Sequence, residues 1–270
     1  MRWVIGDIHG MLTPLRVLVN HVRTVDSRAE LLFVGDYVNR GPDSRGVIDL
    51  LLTLDNARFC RGNHDDVFDL ICNGRSFVGR TSEEDRLASF QWFMQYGLDQ
   101  TLLSYGADPE QLARVNAAPT AKAVRQLAAL VPDPHKDFIR HLPGVIQDED
   151  IFVAHAKWDP SAPTTPAIVP RLQRSEALRQ EIIWRRFTRE EVQRPKAWSR
   201  TGYFGHTPVQ NYLPLGPDAE SVPVLGPSVV LLDTACALIT EGRLTAFCVE
   251  TQSYVQSDRS GQILQSPVER

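Results

Sequence analysis

Over the first third of this chain, short apolar runs alternate with amphipathic stretches, and that rhythm constrains the fold more than any other feature. The runs at 2–5, 31–34 and 58–60 have strand length, whereas 12–22 and 44–54 carry apolar residues at helical spacing. A strand–helix–strand–helix–strand order requires parallel strands, because each helical crossover returns the chain to run in the same direction. Each strand ends in a polar turn containing glycine: Gly6-Asp7-Ile8-His9-Gly10, Gly35-Asp36 and Arg61-Gly62-Asn63-His64. In open α/β sheets sites assemble at such carboxyl-end turns.

Residues 66–141 change character, with helices expected over 83–95, 99–104, 110–115 and 121–130, punctuated by Gly97, Gly106 and prolines. We read this stretch as a helical cap inserted into a single domain spanning 1–270. Strands resume at 145–146 and 151–154, followed by a Pro-rich loop at 160–170, a helix over 172–186, and strands at 202–205, 229–232, 243–249 and 253–256. The expected fold is α/β, two packed sheets with helices outside. With 29 Lys plus Arg against 33 Asp plus Glu, the net charge of -4 offers no overall attraction to a nucleic-acid duplex or an anionic membrane. Any phosphate must be caught locally. The N-terminal apolar run is too short for a signal-peptide core, and no later run is long enough to span a bilayer. Four widely spaced cysteines (Cys60, Cys72, Cys236, Cys248) form no Cys-x-x-Cys pair, so buried, reduced thiols and a cytoplasmic location are expected.

Four of the seven histidines (His9, His64, His155 and His206) follow apolar runs. A lone histidine so placed is more often structural than a ligand. Four of them beside Asp7, Asp36 and Asn63 reverse that preference. Imidazole and carboxylate ligands without thiolate suit Mn, Fe or Zn. One ion would take Asp7, His9 and a bridging Asp36; a second would take Asp36, Asn63, His155 and His206. Two ions roughly 3.5 to 4 Å apart share a water, lower its pKa and aim it at phosphorus.

The motifs GDIHG at 6–10, GDYVNRG at 35–41, GNHD at 62–65, HA at 155–156 and GHTP at 205–208 give the chain a further reading. In this order they resemble the phosphoprotein phosphatase branch of the calcineurin-like metallophosphoesterases, over nearly the whole chain. The resemblance implies a four-layer sandwich of two mixed β-sheets flanked by helices, the same ligand set, and two divalent ions, manganese before iron or zinc. It adds His64 as the proton donor to the leaving oxygen, Arg40 as a phosphate-binding arginine, and Arg186 of the IIWRR run as a second. The chain departs from the family pattern at Asp65, conservatively, and at Lys157, expected to be solvated. The third departure, Asn39, stands where the family has an aspartate that orients and charges the proton-donating histidine; a neutral amide orients but supplies no charge.

The activity expected first is that of a dinuclear phosphomonoesterase of the Ser/Thr protein phosphatase type, acting on phosphorylated protein. The alternative is a phosphoanhydride hydrolase acting on nucleotide polyphosphates, like the symmetrical bis(5′-nucleosyl)-tetraphosphatases, which share all five motifs and carry a non-acidic residue at the position of Asn39. An inactive binding protein is the third reading. Substrate choice is assigned to the cap and the 160–170 loop.

Overall fold

The computed structural model describes residues 1–158, 172, 174–196, 198, 200–213 and 221–265; the expected Pro-rich loop lies outside them. The first third folds as β1 (Arg2–Ile5), α1 (Leu12–Val25), β2 (Glu30–Phe33), α2 (Ser44–Leu51) and β3 (Ala57–Phe59). The three strands pair in parallel, with Trp3 opposite Leu31 and Leu31 opposite Ala57. Helices then fill the chain: α3 (Asn63–Asn73), α4 (Glu83–Met94), α5 (Leu98–Ser104), α6 (Pro109–Ala117), α7 (Ala121–Ala128) and α8 (Asp133–His141). They are followed by β4 (Val145–Gln147), β5 (Ile151–Ala154), α9 (Glu176–Trp184), α10 (Arg189–Gln193), β6 (Thr201–Phe204), β7 (Val224–Leu225), β8 (Val229–Leu231), β9 (Arg243–Cys248), β10 (Ser253–Asp258) and β11 (Ile263–Gln265).

The strands form two mixed sheets, in the orders β11-β10-β9-β1-β2-β3 and β4-β5-β6-β8-β7. Because successive strand residues face opposite ways, β1 and β2 serve two cores at once. Trp3, Ile5, Leu31 and Phe33 pack outward against α1, α2 and the inserted helices. Val4, Leu32 and Val34 face inward, meeting Ile151, Val153, Tyr203 and Val230 of the second sheet. Phe152, Phe204 and Leu231 on the far face of that sheet pack against Ile182 and Ile183 of α9 and Val192 of α10. The result is helix, sheet, sheet, helix. Strands buried on both faces read as continuous apolar runs rather than alternating ones, which is why they stand out in the sequence.

Several boundaries differ from expectation. The third turn is already helical: α3 opens at Asn63, because the Asp65 carboxylate accepts from the Gly62 amide at 2.9 Å and closes the first turn. Helices α3, α8 and α10 escape the sequence reading, and α9 stops at Trp184, leaving Arg185 and Arg186 beyond it. Lys157 is not solvated. It is 5% exposed, pairs with Glu191 of α10 and lies 5.6 Å from the centre of the Phe187 ring, so α10 closes over it. All four cysteines are free, three buried and Cys72 half-buried. Among the described residues no helix is long and apolar enough to cross a membrane.

Candidate active site

The turns after β1, β2, β5 and β6 and the start of α3 converge on one buried locus. Asp7, His9, Asp36, Asn63, His64, His155 and His206 all lie there. The reversals that bring them together are sharp: His9, Asp36, Asn39, Arg40 and His206 have φ between 48° and 71°. Gly62 is obligatory at this crossing, since a Cβ on it would collide with the Asp36 carboxylate.

Asp36 is the hub. Its Oδ2 lies 3.5 Å from His9 Nε2 and 3.3 Å from His155 Nε2, and its Oδ1 accepts from the His64 backbone amide at 2.9 Å. Asp7 Oδ2 is 4.0 Å from His9 Nε2 and accepts from the His206 amide at 3.0 Å. Asn63 Oδ1 sits 2.9 Å from both His155 Nε2 and His206 Nδ1. Two clusters have donor atoms mutually within 4.8 Å, Asp7 with Asp36 and His155, and His9 with Asp36 and His64. Asp36 belongs to both. The sequence reading grouped Asp7 with His9; the geometry also brings Asp7 beside His155.

Whether these residues suit cations follows from their outer atoms. The far ring nitrogens of His9, His155 and His206 contact carbonyl oxygens of Val38, Val34 and Trp184 at 3.0, 3.1 and 3.0 Å. A carbonyl only accepts, so each far nitrogen carries the proton. In the neutral rings of His9 and His206 the near nitrogen then points a bare lone pair at the carboxylates and at Asn63 Oδ1. Lone pairs facing lone pairs in a buried pocket call for a cation, and the donor set fits one.

The charges agree. Burial and the carboxylates of Asp233 and Asp36 drive the Asp7 acid well above its usual range. Burial pushes Asp36 the same way, but the imidazoles of His155, His64 and His9 overcome it and hold Asp36 well below the carboxylate range. Against its own burial, His155 is drawn up to about 9 by Asp36 and Asp7. His9 and His206 fall well below normal, mainly from burial and then from the Arg40 charge and the His155 charge respectively. Asp233 escaped the sequence reading because no glycine turn flags it. Asp65 is more than a conservative replacement: it accepts from the amides of Asp36, Tyr37 and Gly62 at 2.8 to 2.9 Å and so locks two site turns together.

Above the cluster, Asn39 Nδ2 donates to His64 Nδ1 at 2.9 Å. Thr101 of α5 donates its hydroxyl to Asn39 Oδ1 at 2.9 Å while accepting from the Asn39 backbone amide at 2.8 Å, which fits the orientation that presents Nδ2 to His64. His64 Nδ1 is therefore an acceptor, and the proton of the neutral ring sits on Nε2, 3.4 Å from an Arg40 nitrogen. Burial first, then the Arg40 charge, lower His64 to about 4 despite Asp36. Arg40 is anchored through its amide to the Gly97 carbonyl at 3.2 Å, and its buried Nε finds no partner among the described residues. Arg186 donates to Thr207 at 3.0 Å.

These groups border a cleft of about 140 Å³, lined by Asp36, Arg40, Asn63, His64, Arg186 and His206 on its polar side. Trp92, Phe93, Tyr96 and Trp184 form its aromatic side. Pockets that enclose a whole drug-sized ligand run to roughly 300–1,000 Å³, so this one has room for a small group rather than for a whole ligand of that size. The sequence did not mark the aromatic side, because Trp92 and Trp184 come together from helices far apart in the chain.

Curated relatives include symmetrical bis(5′-nucleosyl)-tetraphosphatases from Pseudomonas syringae pv. tomato, 32% identical over 47% of this chain and 45% of theirs, and from Shewanella baltica, 30% identical over 59% and 60%. The matched stretch thus spans less than two-thirds of either relative. Among solved structures, one described as a candidate diadenosine tetraphosphatase aligns at a TM-score of 0.52 and 21% identity, over 94% of this chain and 91% of that one. A cold-active protein tyrosine phosphatase aligns at 0.57 and 14% identity, over 98% and 78%. These likenesses show a shared fold. Residues 2–181 match the model of the calcineurin-like phosphoesterases. That match takes in the first two-thirds of the chain with the turns bearing Asp7, Asp36, Asn63 and His155, and the chain belongs to the calcineurin-like phosphoesterase family.

Proposed function

We propose that this metallophosphoesterase is a phosphoanhydride hydrolase acting on nucleoside polyphosphates, in the manner of the symmetrical bis(5′-nucleosyl)-tetraphosphatases, in preference to a Ser/Thr protein phosphatase. The observation that carries the reading is the Asn39 amide donating to His64 Nδ1. A neutral donor there gives no help to an imidazolium, so His64 offers a hydrogen bond from Nε2 but a proton only weakly. An alkoxide leaving group needs the proton; a nucleotide phosphate leaves without it. The names of the relatives support the same substrate class.

In this reading Asp7, His9 and Asp36 hold one divalent ion, and Asp36, Asn63, His155 and His206 a second, manganese being favoured over iron or zinc. When bound, such ions supply positive charge to the phosphate oxygens and acidify water. Arg40 and Arg186 engage non-bridging oxygens through their planar forks. His64 Nε2 faces the leaving oxygen, and Asn39 fixes the ring. Residues 1–270 act as one domain with the helical insertion of about 66–141 capping the cleft, and the four free thiols support a cytoplasmic setting.

The test is kcat/KM for diadenosine tetraphosphate beside that for a phosphoserine peptide, in Mn²⁺. A clear preference for the dinucleotide is expected. Preference for the peptide would return the protein phosphatase reading, and turnover of neither would leave a binding protein.

A further inference from the structure

The aromatic side of the cleft has no role in the chemistry just described. Trp92 and Tyr96 are 44% and 42% exposed, whereas Phe93 between them is 2% exposed. Folding explains Phe93, which packs edge-on against His64 with ring centres 4.9 Å apart. It does not explain a half-exposed indole on α4, where a charged residue would serve the helix as well. Trp92 stacks nearly parallel on Trp184, with centres 5.9 Å apart and planes 17° apart, and meets Tyr96 edge-on at 5.6 Å. Trp184 in turn reaches the His206 ring at 6.4 Å, and its buried Nε1 finds no partner among the described residues. The exposed rings thus stand two ring layers out from the candidate metal ligands, in the same cleft as Arg40 and Arg186.

We infer that Trp92 and Tyr96 form a stacking platform for the nucleobase of the substrate whose phosphates the arginines hold. This rests on the hydrolase reading above and names the part of the substrate that the rim recognises. Position selects a base over a tyrosyl ring. The ring of a phosphotyrosine joins directly to the reacting phosphate and would lie against the inner rings, Phe93 and Trp184. A base is separated from the reacting phosphorus by a ribose and a further phosphate, which carries it out to the exposed pair. Stacking tolerates any base, because each presents a π-face, so the platform adds affinity without choosing among nucleosides.

Binding of three non-hydrolysed probes in Mn²⁺ tests this without relying on turnover: the methylene analogue of ADP, methylenediphosphonate, and a phosphonate analogue of phosphotyrosine. The wild-type protein is expected to bind the ADP analogue about tenfold more tightly than methylenediphosphonate. Trp92→Ala should remove most of that advantage while changing methylenediphosphonate affinity less than twofold, and Trp92→Phe should retain most of it. Equal affinity for the two diphosphonates in the wild type, or equal weakening of both in Trp92→Ala, overturns the platform. A larger Trp92-dependent gain for the phosphotyrosine analogue would make the rim an aryl reader and overturn the base assignment. Failure of the hydrolase reading registers separately, as peptide preference in the turnover assay.

Discussion

Asn39→Asp exchanges one atom and reverses one hydrogen bond. In the wild type Nδ2 donates to His64 Nδ1 at 2.9 Å, with Asn39 fully buried and its oxygen held by Thr101. An aspartate in the same rotamer can only accept, so His64 Nδ1 must take a proton, and Nε2 keeps one only as imidazolium. The backbone needs no change, because both residues tolerate the φ of 71° at this position. A charge-assisted hydrogen bond contributes about 1.5 to 3 kcal/mol, equivalent to roughly one to two pKa units upward from about 4. The sign is fixed: a new carboxylate favours the charged ring, so the proton-donating form persists to higher pH. At pH above both values the imidazolium fraction rises roughly 10- to 100-fold. We expect kcat/KM for a phosphoserine peptide to rise by about that factor relative to p-nitrophenyl phosphate, whose leaving group needs no proton. The basic limb of the peptide profile should move upward. Nitrogen-15 NMR of His64 gives an independent readout, a bare Nδ1 in the wild type and a protonated Nδ1 in the variant. Equal changes on both substrates, or a wild-type Nδ1 already protonated, would refute the reasoning.

Asp36→Asn should reduce bound manganese, measured by mass spectrometry of dialysed protein, from two ions per chain toward none, whereas His206→Asn should leave about one. Arg40→Ala and Arg186→Ala should each raise KM and weaken inhibition by inorganic phosphate about tenfold or more; unchanged inhibition in Arg186→Ala would leave that residue bound only to Thr207. Arg61 is buried with Asp66 and Asp69 at 3.1 and 3.0 Å and donates to the Ile139, Arg140 and Leu142 carbonyls around the end of α8. Arg61→Met strands two buried carboxylates, so a loss of about 3–5 kcal/mol and a fall in melting temperature of roughly 10 °C are expected by calorimetry.

What the sequence made legible is what short-range chemistry dictates. Doubly buried parallel strands need unbroken apolar runs, and sharp strand-end turns need glycine, so 2–5, 31–34 and the motifs after them stand out. What stayed hidden depends on pairings between distant residues. Thr101 orients Asn39 from 62 positions away, Trp92 meets Trp184 across the cleft, and Lys157 is buried only because α10 folds back over it. Asp233 lowers no local propensity and marks no glycine turn, yet its charge weighs on Asp7. Helix α3 stayed hidden for a related reason: Gly62-Asn63-His64 reads as a turn until Asp65 closes back on Gly62 and on the turn after β2.

Of the eight non-glycine residues with positive φ among those described, His9, Asp36, Asn39, Arg40 and His206 belong to the candidate site. Left-handed backbone costs roughly 1–2 kcal/mol for an ordinary side chain, less for Asn or Asp. Such strain persists only where the surroundings over-determine it. Here they do: the His9 carbonyl accepts from the Gly41 amide at 2.8 Å, and the Gly97 carbonyl accepts from Arg40 at 3.2 Å. Arg40, with φ 68°, is the position where strain and function separate cleanly. Arg40→Ala and Arg40→Gly both delete the guanidinium, so both should lose phosphate affinity equally. Glycine alone is at ease in that conformation, and its larger unfolded-state entropy offsets only part of the gain. Arg40→Gly should therefore unfold about 1 kcal/mol less readily than Arg40→Ala in urea, with the same slope. If the two unfold together, the turn relaxes around alanine and the backbone at Arg40 stores no strain. If glycine is the less stable, chain entropy outweighs the conformational cost, and the positive φ follows from the fold rather than from what the arginine must reach.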